Sequence, residues 1–185
     1  MTSAVEFEIK LRAPEPEDVE LLYLWENDHE IWQISNTFSP FSKYILEKYI
    51  ETAQMDIYET KQLRLMIDLL IDNGFTSQTI GTIDMFDFDP YHGRAGIGIL
   101  IGDKSNRKRG YADAALKKFI EYGFNVLHLH QLYCNIGVTN TDSLKLFENN
   151  GFILTGRKTD WLRTSGKYTD ELLLQLINPI DATNS

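Results

Sequence analysis

The chain is short of cysteine, of long apolar runs and of positive charge, and each shortage removes a class of protein. Cys134 is the only cysteine, which excludes an intrachain disulfide and a zinc cluster built on cysteines. No run approaches the length of a membrane span, and Met1 to Arg12 lacks the apolar stretch of a signal peptide. A cytoplasmic protein with no membrane partner is the expectation. Eighteen Lys and Arg stand against 27 Asp and Glu, for a net charge of −9. The basic face that would neutralise nucleic-acid phosphates is therefore missing, whereas a cationic substrate is compatible with the acidity. Internal repeats, low-complexity tracts and Pro/Gly/Ser-rich linkers are also absent. With 185 residues, one domain is expected over 1–178, with a short tail at 179–185.

What is there reads as alternating strands and helices. "EFEIKLRAPE" alternates apolar and polar residues as a half-buried strand does. "PEPEDVELLYLWEND" and "SKYILEKYIETAQ" carry helical spacing, and the "IWQISNTFSPF" between them reads as a surface loop. "LRLMIDLLID" and "QTIGTIDMFDFD" flank Asn73-Gly74, a strong tight-hairpin signal. "RAGIGILIGD" is a further strand, followed by a helix from about Gly110 to Leu127 and the buried-looking strand "QLYCNIGV". "NTDSLKLFENN" is a short helix stopped by Gly151, and two strands about Ser165-Gly166 close the chain. The outcome is a mixed α/β domain rather than a doubly wound one.

The segment "GDKSNRKRGYADAALKKF", residues 102–119, departs from the acidic background. It joins a strand to a helix, the context in which free N–H groups and the helix dipole make an anion site. Gly110 lets a ligand approach the backbone, and Ala112, Ala114 and Ala115 let the helix lie close to its neighbour. Lys104, Arg107, Lys108 and Arg109 add charge, while Leu116, Phe119 and Ile120 form the core-facing stripe. A solvated basic loop that binds nothing remains the alternative. The segment matches neither Gly-x-x-x-x-Gly-Lys-Ser/Thr nor Gly-x-Gly-x-x-Gly.

Arg107-x-x-Gly110-x-Ala112 resembles the diphosphate-binding motif of the GNAT N-acetyltransferases, Gln/Arg-x-x-Gly-x-Gly/Ala. "AGIGILIGD" resembles that family's fourth strand and "NTDSLKLFENNGF" its segment after strand five. "KLRAPEPEDVELLYLWEND" and "RKRGYADAALKKFIEYGFNVL" are most similar to the spermidine and ribosomal-protein acetyltransferase branch. The resemblance covers nearly the whole chain. It implies a mostly antiparallel, twisted sheet of about seven strands with four helices, splayed between strands four and five. It implies acetyl transfer from acetyl-CoA to a small or peptide amine, a di- or polyamine such as spermidine foremost, with no metal. A protein N-terminal acetyltransferase, or a CoA-binding sensor with little turnover, are the other readings. The branch also contains ring-shaped homo-oligomers.

The resemblance further implies roles by position. Backbone groups of Ile99, Leu100 and Ile101 would hold the pantetheine arm, and those of Arg107, Lys108, Arg109, Gly110, Tyr111 and Ala112 the diphosphate. Asn140 would lie near the pantetheine, with an ordinary helix N-cap as the other reading. Asp84 and Asp87 stand where the polyamine branch has glutamates near the amine, although an odd separation puts them on opposite strand faces unless a bulge intervenes. Gly96 stands where that branch has another glutamate. Glu26, Asp28 and Glu30 are further candidates for the amine site. Phe147 occupies the place of the tyrosine that protonates the leaving thiolate, and phenylalanine has no proton to give. Water, another residue (Tyr111, Tyr133 or Cys134) or an absence of turnover would follow. His92, His128 and His130 have no carboxylate at a metal-ligand spacing. Trp25, Trp32, Trp161, Phe38 and Phe41 read as packing or as walls of an amine pocket.

Overall fold

The computed structural model describes residues 7–35, 39–53, 55–71, 76–164 and 166–182. Its elements are β1 (Glu8–Arg12), α1 (Val19–Glu26), α2 (His29–Ser35), α3 (Lys43–Thr52), α4 (Ile57–Thr60), β2 (Leu63–Ile71), β3 (Thr76–Asp89), β4 (Arg94–Ile101), α5 (Tyr111–Asn125), β5 (Gln131–Gly137), α6 (Thr141–Asn149), β6 (Ile153–Thr164), β7 (Lys167–Ile177) and α7 (Pro179–Ala182). Short 3-10 turns at Pro16–Asp18 and Lys104–Asn106 lead toward α1 and α5.

The seven strands form one sheet in the order β1-β2-β3-β4-β5-β7-β6. All neighbours are antiparallel except β4 and β5. That parallel pair meets only over Arg94–Gly96 and Gln131–Tyr133. The two strands then part, and the side of β4 facing β5 is left without a ladder partner from Ile97 onward. Backbone donors and acceptors in such a gap need another partner. The expected splay is therefore present, and it leaves a slot in mid-sheet.

Each face of the sheet is covered by its own helices. α5 buries Ala115, Leu116, Phe119 and Phe124, at helical spacing, against a core that includes Ile83, Met85, Ile97 and Leu132. On the other face Leu22 and Trp25 of α1, Ile31 of α2, and Leu46 and Ile50 of α3 close over Met66. α3 begins where the Ser42 side chain accepts from the Ile45 N–H at 3.2 Å, and α4 where Asp56 accepts from Tyr58 at 2.8 Å.

The four expected helices are α1, α3, α5 and α6; α2, α4 and α7 are additional. Residues 31–35 are helical, not a surface loop, because Ile31 finds a buried place in the second core while Trp32 donates to Glu26 O at 2.5 Å. The rest of that stretch to Phe38, the Asn73-Gly74 turn and Ser165 lie outside the described residues; β2 and β3 pair as a hairpin would require. The tail opens with α7. Among the described residues, no helix is long and apolar enough to cross a membrane.

Candidate active site

The first half of the site is built by the connection from β4 to α5. Gly110 sits at φ +85° just ahead of α5, a left-handed conformation that residues with a Cβ adopt only under strain. The Ala114 N–H takes Gly110 O at 3.1 Å, so the N–H groups of the turn before it have no acceptor inside the helix. Gly110 and Ala112 of this turn line a cavity of about 540 Å³, together with Ile99, Leu100, Ile101 and Asn140, among others. Such a helix mouth favours an anion.

The motif's side chains take different places from those its charge pattern suggests. Arg107 turns back, donating from Nε to Ile101 O at 3.1 Å and from Nη2 to Gly102 O at 3.0 Å, so it braces the end of β4. Lys108 lines the cavity and pairs with Asp142 at 3.3 Å in an exposed position. Arg109 and Tyr111 are not among the cavity walls; the Tyr111 ring packs edge-on against Phe7, 4.8 Å between centroids. Lys104 reaches Glu30 at 2.6 Å on the surface. The buried Asn106 contributes an amide whose Nδ2 has no partner among the described residues.

A second cavity of about 230 Å³ adjoins this one; Ile99, Leu100, Asn140 and Ser143 line both. Asn140 caps α6, its side chain accepting from the Ser143 N–H at 3.3 Å, so the cap and a place at the junction of the cavities coincide. The second cavity is charged on one wall. Arg64 donates to Asp84 from Nε at 2.6 Å and Nη2 at 3.1 Å, and from Nη1 to Glu26 at 2.6 Å. Burial opposes the charge on Arg64, but Asp84 outweighs it and holds the guanidinium above its ordinary value. Across the cavity the buried Glu171 takes a hydrogen bond from Lys158 at 2.7 Å. Phe147, 1% exposed, closes the floor and meets Phe152 edge-on at 5.0 Å. Cys134 shares that wall, and burial pushes its thiol up to about 12.

Asp87 is not in this cavity. A break in register between Phe86 and Asp89, with Asp87 at φ +50°, supplies the bulge that strand alternation left open. Asp87 accepts from the Tyr133 hydroxyl at 2.9 Å, and both line a separate open hollow of about 450 Å³ with Asp89 and Arg94. Burial first, then Asp87, pushes the Tyr133 hydroxyl up to about 12. The Phe86 ring, edge-on to Tyr133 at 5.9 Å, stands at this end of the sheet. Asp28 and Glu30 are also apart: Asp28 accepts from the Glu30 N–H at 2.9 Å, and Glu30 turns to Lys104.

Of the aromatics, Trp25 and Phe41 belong to the second core, and Trp161 is exposed beneath Lys158, whose Nζ is 5.1 Å from the ring. Among the described residues, no group of His, Cys, Asp or Glu is placed to hold a metal ion. Sequence reading passed over Arg64, Asn106 and Glu171. Arg64 stands opposite Asp84 only through the β2–β3 register, and no local spacing announces that.

A splayed sheet with a helix mouth at one end of the gap and a charged cavity at the other suits a CoA-dependent acyltransferase. The family model described as an acetyltransferase (GNAT) domain matches residues 8–153. The chain belongs to the GNAT acetyltransferase family, and it is an acetyl-CoA-dependent N-acetyltransferase. An uncharacterised N-acetyltransferase of Bacillus licheniformis is 28% identical over 179 residues, covering 91% of this chain and 92% of the relative. A spermidine N(1)-acetyltransferase of Vibrio cholerae is 24% identical over 164 residues, covering 88% and 89%. The crystal structure of the Vibrio cholerae spermidine N-acetyltransferase in complex with CoA and spermine superposes with a TM-score of 0.80 at 21% identity, covering 91% of this chain and 95% of that one. A dodecameric structure of the same enzyme superposes at 0.74 and 21% identity, over 96% and 98%.

Proposed function

We propose that the protein acetylates a primary amine of a di- or polyamine such as spermidine, with acetyl-CoA lying along the splay. One observation carries the reading: the groove at the α5 mouth shares the walls Ile99, Leu100, Asn140 and Ser143 with a cavity bearing Glu26, Asp84 and Glu171. The relatives that act on spermidine support it at low identity.

The residues present suit CoA. The cradle at Gly110 is open, the unpaired edge of β4 offers backbone partners to an amide-bearing arm, and the walls there are apolar at Ile99, Leu100 and Ile101. Bound acetyl-CoA supplies the thioester whose carbonyl carbon the amine attacks. The chain orients that carbonyl at the β4 edge, where an N–H can polarise it. Glu26 and Asp84 attract the ammonium and, through water, accept its proton. Arg64 limits their charge, because it pairs with both. No tyrosine lines the acceptor cavity among the described residues. Protonation of the departing thiolate therefore falls to solvent water, which a thiol's ordinary acidity tolerates.

The charge balance around Arg64 also favours a second reading, a peptide N-terminus carrying one ammonium instead of several. A sensor with little turnover is the third, resting on Phe147. Homo-oligomerisation belongs to the same proposal, supported by the dodecameric neighbour. The test is release of free thiol from acetyl-CoA with spermidine, spermine, small diamines and peptides beginning with Ala or Ser, each at equal concentration. Preference for the polyamines is expected. Preference for peptides removes the polyamine assignment, and CoA binding without thiol release for any amine leaves the sensor.

A further inference from the structure

We infer that Glu171 holds the ammonium of the polyamine that is not acetylated, and that Lys158 keeps its place until the substrate arrives. The inference rests on the reading of the second cavity as the acceptor site. Glu171 stands on β7 with 6% of its surface exposed, and it lines that cavity. Lys158 donates to its Oε2 at 2.7 Å. The other oxygen, Oε1, has no hydrogen-bond partner among the described residues. Nor is it sealed in, because among those residues Asn106 Nδ2 alone is both enclosed and unpartnered. Burying a carboxylate costs folding free energy unless donors reach it, so an open oxygen beside a cavity calls for a donor that arrives with the ligand.

Strand register sets this acid apart from the other two. Asp84 is paired with Gly98 on β4, and Glu171 with Gly137 on β5. Both glycines line the cavity where β4 and β5 have parted, so neither acid has a side chain of its slot-side partner in front of it. With strands about 4.8 Å apart, the Asp84 and Glu171 backbones are separated by on the order of 14 Å or more. Two ammonium groups of one chain suit that separation better than a single one. Arg64 gives its donors to Asp84 and Glu26 and none to Glu171. The donor now on Glu171 is itself an alkylammonium, the group that ends a polyamine. Lys158 also reaches Asn135 Oδ1 at 3.0 Å and the Trp161 ring at 5.1 Å, partners it keeps on letting Glu171 go.

A pair that merely staples β6 to β7 suffers alike whichever partner is removed, whereas here the two removals act in opposite directions. Glu171→Gln keeps the shape and removes the charge; Lys158→Met keeps the stem and removes the resident ammonium. Each would be compared with the unaltered protein by calorimetry, at saturating CoA, with spermidine and with butylamine, which carries one ammonium. Glu171→Gln should bind spermidine on the order of tenfold more weakly, with a far smaller change for butylamine. Lys158→Met should bind spermidine about threefold or more tightly. Its unfolding midpoint should fall, and spermidine should raise that midpoint more than it raises the unaltered protein's. Unchanged spermidine affinity in Glu171→Gln overturns the assignment, as does an equal loss for butylamine or weaker spermidine binding in Lys158→Met. Should Glu171→Gln fail to fold, Lys158→Met decides alone. An unaltered protein that acetylates peptides and binds no spermidine removes the polyamine reading and this assignment together. One that acetylates spermidine while Glu171→Gln binds it equally well removes the assignment alone.

Discussion

The ring of Phe86 lies across Gly96, so close that a Cβ there would fall 2.2 Å from Cε2 and 2.5 Å from Cζ. The two are register partners on β3 and β4. A side chain at position 96, where the family resemblance implies a glutamate, therefore requires the Phe86 ring to shift.

Gly96→Glu alone should not restore an acidic contact. It should overpack the space between β3 and β4 and destabilise the protein by about 1–3 kcal/mol. Gly96→Glu combined with Phe86→Ala should recover part of that loss and raise kcat/KM for spermidine relative to Phe86→Ala alone. Thermal unfolding and steady-state rates check both; a well-folded Gly96→Glu single variant would show that Phe86 moves aside freely.

Gly110 joins a conformational demand to an electrostatic one. Gly110→Ala meets only the positive φ, since the nearest foreign atom to a new Cβ is Phe7 Cζ at 3.9 Å, and should cost about 1–2 kcal/mol of stability. Gly110→Glu adds bulk and negative charge at the helix mouth and should abolish CoA binding. Titration calorimetry decides it, and unchanged affinity in Gly110→Glu would contradict a diphosphate at this place.

Phe147 lines the second cavity, and on the proposed function Phe147→Tyr adds a hydroxyl near the thioester. CoA affinity should stay the same while kcat rises at least modestly, as an added proton donor requires. A lower kcat would mean that Phe147 serves to shape the cavity.

Far from the site, Arg12 ties three elements together through Asp18 at 2.7 Å and Asp68 at 2.7 Å. Burial raises the Asp18 carboxyl, but the Arg12 hydrogen bond, the Glu15 N–H and the Arg12 charge outweigh it and hold it below its ordinary value. A depressed carboxyl stabilises the fold above its unfolded pKa, about 3.9, and that contribution fades as pH falls through the lower folded value. Asp18→Asn should therefore lose on the order of 2 kcal/mol at pH 7. It should also unfold with a shallower dependence on pH below about 5. Denaturant melts from pH 7 to pH 3 measure both; parallel pH curves would remove Asp18 from the acid response.

Much of the site's frame was legible because it is local. The turn from β4 into α5 is announced by Gly110 and the alanines after it, and Asn140 by the start of α6. Asp84 was singled out as a candidate for the amine side through family resemblance, and its partner Arg64 was not legible at all. The bulge that moves Asp87 into a separate hollow follows from the β3–β4 register break, where pattern left only the option.

The amino-acid order by itself determined the succession of strands and helices, the glycine turn ahead of α5 and the family. Each depends on backbone propensity and on residues within a few positions of one another. Only the tertiary structure decided which charges meet. Arg64 reaches Glu26 and Asp84 across 38 and 20 residues of chain, Arg107 spends itself on carbonyls, and Phe86 fills the space over Gly96. The reason is physical: ion pairs and steric exclusion act over a few ångströms, and strand register brings distant residues within that range.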